Sequence, residues 1–163
     1  MPLRRGWALT TKGTRPVVTH RYVMFSLDGA DYAIEARYVR HSLAAPVGPD
    51  EEVFFLGRSY PILDLRAFFG LPPLASRDRL ILMVEGERRN AALLIDTVTG
   101  LVRLDEAAIV SMPKVFAGVE RRWFRSLARI SSRVVAVINV DGILGVRDSS
   151  APLPALSGAP GAA

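Results

Sequence analysis

Val53–Leu71 reads VFFLGRSYPILDLRAFFGL, and its punctuation decides what kind of fold the chain can adopt. Val53, Phe54, Phe55 and Leu56 are β-branched or large apolar residues that fit a pleated, mostly buried surface. Gly57 tolerates positive φ, so a hairpin turn at Gly57-Arg58 carries little steric cost. Pro61 has no backbone N–H and belongs on an edge or beside a bulge. Asp64 can cap a helix by accepting from its first N–H groups. Gly70 suits the position just past a helix, and Pro72-Pro73 prevent continuation. The stretch therefore predicts two strands and a helix of one to two turns, Leu65 to Phe69.

Outward from there, hairpins dominate. Arg21 to Leu27 and Tyr32 to Ala36 flank the turn Asp28-Gly29-Ala30-Asp31. Arg37 to Leu43 suits a helical turn with Tyr38 and Val39 facing inward. Ala44 to Glu52 is a loop rich in Pro and acids. Arg79 to Glu85 and Asn90 to Asp96 form a second hairpin of nearly unbroken apolar runs, which predicts burial on both faces. Gly100 breaks the next run, and Leu101 to Leu104 is a short strand. Asp105 caps a turn toward Val110, and Ser111 to Arg122 reads as loop. Leu127 to Ile130 and Arg133 to Val140 pair across Ser131-Ser132, and Asp141 caps a last turn. Residues 1–19 form a flexible basic tail, residues 20–147 the domain, and residues 148–163 a disordered tail of Ala, Pro, Gly and Ser. About nine short strands with little helix predict barrels or a sandwich.

Composition narrows the chemistry. The 163 residues are 50% hydrophobic, enough for one domain with a core. There is no cysteine, which removes disulfides and thiolate nucleophiles or ligands and is compatible with a reducing cytoplasm. No apolar segment follows Arg4-Arg5 as a signal would require, and no run has the length of a membrane span. The net charge of +5 is local: Arg4, Arg5, Lys12, Arg15 and Arg21 precede the first acid, Asp28, and the remainder balances. The two histidines, His20 and His41, have no companion ligands at metal spacing. Neither a Gly-rich phosphate loop nor a Gly-x-Ser-x-Gly elbow occurs. Asp64 and Asp96 are the one carboxylate pair worth weighing; a helix cap and a strand-end turn account for them better than acid–base work. Neither catalysis, nor a metal, nor a cofactor is expected. The sequence pI of 10.2 invites an alternative, a small barrel binding single-stranded nucleic acid through Glu120-Arg121-Arg122-Trp123-Phe124-Arg125. The neutral domain speaks against it, and Arg, Trp and Phe equally serve protein interfaces.

The phrase PILDLRAFFGL resembles the central signature of CheW-like domains, the bacterial chemotaxis coupling proteins. Tyr22 to Ile34 (YVMFSLDGADYAI) is similar to that family's opening hairpin, Leu93 to Val98 (LLIDTV) to its apolar-Asp-x-Val strand end, and Arg133 to Leu144 (RVVAVINVDGIL) to its closing strand and helix. The resemblance implies a mostly β fold of two packed five-stranded SH3-like barrels with one or two short helices. It implies a non-catalytic cytoplasmic adaptor at receptor clusters, without membrane insertion. Its partners would be the helical cytoplasmic tip of a chemoreceptor and the regulatory domain of a histidine kinase. The matching receptor-groove positions are Val39, Gly57, Ala92 and Val98. Two departures stand beside it. His41 occupies a usual acidic position, and Phe54-Phe55-Leu56-Gly57 stands where Asn-Leu-Arg-Gly is usual. Both lie in the first barrel, on the kinase-facing and ring-forming side, and make kinase binding and ring assembly doubtful. Exposed, Phe54, Phe55 and Leu56 would mark a different interface.

Overall fold

A computed structural model describes residues 17–45, 51–74, 78–114, 118 and 120–145. These form two sheets. The first has the order β8-β1-β2-β11-β10-β9, from β1 (Thr19–Leu27), β2 (Ala30–Glu35), β8 (Thr97–Asp105), β9 (Ile109–Ser111), β10 (Phe124–Ile130) and β11 (Arg133–Ile138). The second has the order β3-β6-β7-β5-β4, from β3 (Val39–Ala44), β4 (Glu52–Phe55), β5 (Arg58–Asp64), β6 (Leu80–Glu85) and β7 (Asn90–Ile95). Short helices α1 (Leu65–Phe68), α2 (Glu120–Trp123) and α3 (Val140–Gly145) join them. The architecture is the expected mostly β pair of small barrels. The first sheet carries a sixth strand because the three-residue β9 adds to β10 along Ser126–Ala128. Of the expected tails, only residues 17–19 fall among the described residues; Val18 already accepts from the Glu106 N–H at 3.2 Å.

Strand alternation sorts the apolar side chains into three cores. Tyr22, Met24, Ala33, Ala128, Val135 and Val137 fill the six-stranded barrel. Tyr60, Ile81, Met83 and Ala92 fill the five-stranded one. The intervening residues of the same strands, Phe25, Leu27, Leu82, Val84, Leu93 and Ile95, point the other way into a core shared by both barrels. β6 and β7 are thus buried on both faces, as their unbroken apolar runs predict. Phe68 and Phe69 of the α1 segment enter that shared core and meet Trp123 and Phe124 edge-on, tilted or stacked, at centroid distances of 4.8–5.8 Å. Ring pairs in these geometries add to area burial.

The edges of the five-stranded sheet meet through rings: His41 on β3 stacks on Phe55 on β4 with centroids 4.8 Å apart. Pro61 lies inside β5, which has neighbours on both sides. The ladder with β7 begins only at Ile62, one residue later, so the missing N–H leaves no gap.

Several local expectations change. The β4–β5 turn is Leu56-Gly57, one residue earlier than expected, because Phe55 pairs with Arg58. β8 runs on through Gly100, which pairs with Met24; the next pair is Phe25 with Val98, so the extra residue Thr99 makes a bulge in β8 beside the glycine, which marks the irregularity rather than a strand end. Residues 36–38 form a single 3-10 turn, and Val39 already begins β3. Asn139 caps α3, its Oδ1 accepting from the Gly142 N–H at 3.3 Å, while Asp141 accepts instead from the Glu87 N–H at 2.8 Å in the β6–β7 turn.

Among the described glycines, Gly142 sits closest against neighbouring backbone. A Cβ there would overlap the Arg122 carbonyl oxygen and lie 2.8 Å from Asn139 Nδ2. Gly142→Ala is expected to destabilise by about 2 kcal/mol or more, whereas Gly100→Ala, with open space around it, stays within about 0.5 kcal/mol in urea denaturation.

Candidate functional site

The residues that the sequence singled out do not all converge. Val39 opens β3 opposite Val84, and Val98 lies on β8 opposite Phe25. Both are half-buried at the margin of the core between the barrels. Gly57 is exposed at the β4–β5 tip with φ +77° and nothing within reach of an added Cβ. Glu85 ties that tip to Val39's strand, accepting from Arg40 Nε, Arg58 Nη1 and Tyr60 Oη at 2.8 Å each. These bonds, led by Tyr60 and Arg40, hold the Glu85 carboxyl below its ordinary range. Ala92 needs correction as a groove residue. It points into the five-stranded barrel with no exposed surface, because its register opposite Met83 and Ile62 places it on the inner face.

The altered edge divides by strand parity. Phe55 packs inward with Val53 against the barrel core and under His41, so it is not part of an exposed patch. Phe54 and Leu56 face solvent, at 73% and 86% exposure.

What sequence reasoning missed is a network of charges at the junction of the barrels. Asp96 is the one residue between β7 and β8, where the chain crosses from one sheet to the other. Arg66, 5% exposed in α1, grips it with Nε to Oδ1 at 2.7 Å and Nη2 to Oδ2 at 2.8 Å. Arg66 also donates to the Pro72 carbonyl and, at 3.3 Å, to Asp28. Asp28 in turn donates its N–H to Asp96 at 2.8 Å, fixing the β1–β2 turn. Asp64 caps α1 through the Arg66 N–H at 3.0 Å and is held by Arg79 at 2.8 and 3.0 Å. The readings of Asp64 as a helix cap and Asp96 as a turn acceptor hold, but both carboxylates also have guanidinium partners. The signal in the sequence was Arg66 itself, the one charge in the apolar run Leu65 to Leu71.

This arrangement suits structure rather than acid–base chemistry. Burial would raise the Asp96 and Asp64 carboxyls, but hydrogen bonds from Arg66 and the Asp28 N–H, and from Arg79, outweigh it and hold both below their ordinary 3.8. A general acid or base near neutral pH needs the opposite shift. Among the described residues no group of three or more His, Asp or Glu could hold a metal ion. No described helix is long and apolar enough to cross a membrane. Trp123 is buried, and Phe124 stacks on Phe69 and Tyr32. The rings of the basic-aromatic segment are therefore occupied by the protein's own core and offer no platform for bases.

Breaking the buried pair leaves a charge without its partner. Arg66→Met is expected to cost about 3–5 kcal/mol in urea denaturation, and Arg66→Met/Asp96→Leu to recover part of that. Because the folded carboxyls of Asp64 and Asp96 lie below 3.8, the folded chain binds fewer protons than the unfolded chain in acid. Their contribution is complete above about pH 5 and is lost as pH falls through the lowered values. A Tm profile across acid pH is expected to show that fall, and Asp96→Asn to flatten it.

The family model of the CheW-like domain matches residues 21–148. The chain is 25% identical over 125 residues to the "Probable chemotaxis protein CheW" of Rhizobium etli, an alignment covering 72% of this chain and 81% of that one. It is similar in fold to the crystal structure of the scaffolding protein TtCheW from Thermoanaerobacter tengcongensis. That match has a TM-score of 0.63 at 23% identity and covers 75% of this chain and 90% of the other. The signature segments that meet at the Arg66–Asp96 pair are thus parts of a shared domain, and the chain belongs to the CheW-like family of chemotaxis coupling proteins.

Proposed function

We propose that this protein is a non-catalytic coupling adaptor that binds the helical cytoplasmic tip of a chemoreceptor and contacts its histidine kinase only weakly. The observation that carries the receptor half is the margin of the inter-barrel core. Val39 and Val98 leave that core half-covered from opposite sheets. An amphipathic helical hairpin laid on such a margin would bury its apolar stripe. The adaptor works in the cytoplasm, at receptor clusters beside the membrane. The kinase half rests on the rebuilt edge. His41, at the family's usual acidic position, stacks on Phe55 instead of facing a charge, and Leu56 replaces the arginine.

Two binding measurements test this. A receptor-tip fragment is expected to bind the full chain, and Val98→Glu, checked for folding by its melt, to weaken that binding at least tenfold, about 1.4 kcal/mol. Unchanged affinity would overturn the groove. The kinase's regulatory domain is expected to bind poorly, and His41→Glu/Leu56→Arg to strengthen it. Tight binding by the unaltered chain would refute the loss of that contact.

A further inference from the structure

Arginines gather at one end of the five-stranded barrel. Arg40 follows Val39 at the start of β3, Arg58 opens β5, and Arg88 and Arg89 belong to the β6–β7 turn. Register brings these segments together. Val39 pairs with Val84, Glu85 pairs with Asn90, and Asn90 Nδ2 donates to the Ser59 carbonyl at 3.0 Å. Arg58, Ser59 and the run Glu85 to Asn90 line a cleft of about 450 Å³ that opens to solvent.

Three guanidiniums and two carboxylates stand on this wall, and the carboxylates are not its equal opposites. Glu85 is already held by Arg40, Arg58 and Tyr60. Glu87 is exposed in the turn, where its N–H is taken by the Asp141 carboxylate. Arg58 gives Glu85 one N–H of its five, and its side chain is 66% exposed. Arg88 is exposed beside it.

The rest of the wall is Ser59, Gly86 and Asn90, with no aromatic ring and no large apolar side chain. Sites for small organic molecules are ordinarily apolar with a few polar anchors. A cleft walled by guanidiniums and an amide selects for charge instead. Guanidinium forks match the oxygens of phosphate in pairs. The donors here come from two segments, β5 and the β6–β7 turn, so a group with acceptors on three sides engages both, where a carboxylate offers two oxygens in one plane.

We infer that this cleft binds a small phosphate-bearing anion, gripped by Arg58 from β5 and by Arg88 and Arg89 from the β6–β7 turn. Recognition rests on the phosphate, since the wall has no ring on which a base could stack. This inference does not rest on the receptor or kinase reading, because it concerns the purified chain alone.

The test titrates inorganic pyrophosphate into the full chain, labelled with ¹⁵N, at constant ionic strength. Saturable shifts are expected at the amides of Arg58, Ser59 and Gly86 to Asn90, with a Kd of about 0.1–1 mM that rises with added salt. Arg88→Ser is expected to raise that Kd about fivefold with an unchanged melt, as befits an exposed turn residue. Arg58→Lys keeps the charge but loses the fork, and is expected to raise it about threefold. Malonate, a dicarboxylate of the same charge sign, is expected to bind about tenfold more weakly. Shifts confined to residues 1–19, where Arg4, Arg5, Lys12 and Arg15 lie, would overturn the proposal. So would shifts that never saturate, a Kd indifferent to Arg88→Ser, or malonate binding as tightly as pyrophosphate.

Discussion

The grip of Arg66 on Asp96 is the constraint on which the arrangement of the two barrels depends. Asp96 stands where the chain leaves one sheet for the other, and Arg66 stands on the helix that leaves β5. Their two-bonded pairing, at 2.7 and 2.8 Å, also captures the β1–β2 turn through Asp28. A guanidinium and a carboxylate taken out of water stabilise little on net, but their geometry is demanding and admits few alternatives. Greasy surfaces alone would let two barrels slide; a planar fork locked to one carboxylate allows a single register. That is a role in specificity, with the shared apolar core supplying the driving force.

Around that lock the fold uses each strand twice. Alternate residues of β6 and β7 fill their own barrel and the shared core, so neither barrel has a complete exterior without the other. Val39 and Val98 lie half-covered at the margin of the shared core. Asp96 and Asp64 are committed to the guanidiniums of Arg66 and Arg79.

The departures from the family cluster in one place and have a consistent physical form. His41 and Leu56 stand where the resembled motif has an acid and an arginine, and His41 stacks on Phe55 across the edges of the five-stranded sheet. Phe54 and Leu56, displaced outward by strand parity, present the apolar surface that this stack does not cover.

The sequence by itself determined the local elements and the family. Period-two apolar runs, glycines at turns and the Asp64 cap are local facts, set by the nearest few residues, and their order along the chain carried the resemblance. It also excluded thiol chemistry outright. Tertiary structure alone decided that β11 lies beside β2 and β5 beside β7, because parallel neighbours far apart in the chain leave no local trace. It decided that Ala92 is interior while Phe54 is not, since a face depends on register and not on residue type. It decided, finally, that Asp96 has a buried arginine thirty residues away as its partner. A charge pair formed across the chain is written in two separate segments, and only packing brings them within reach of one another.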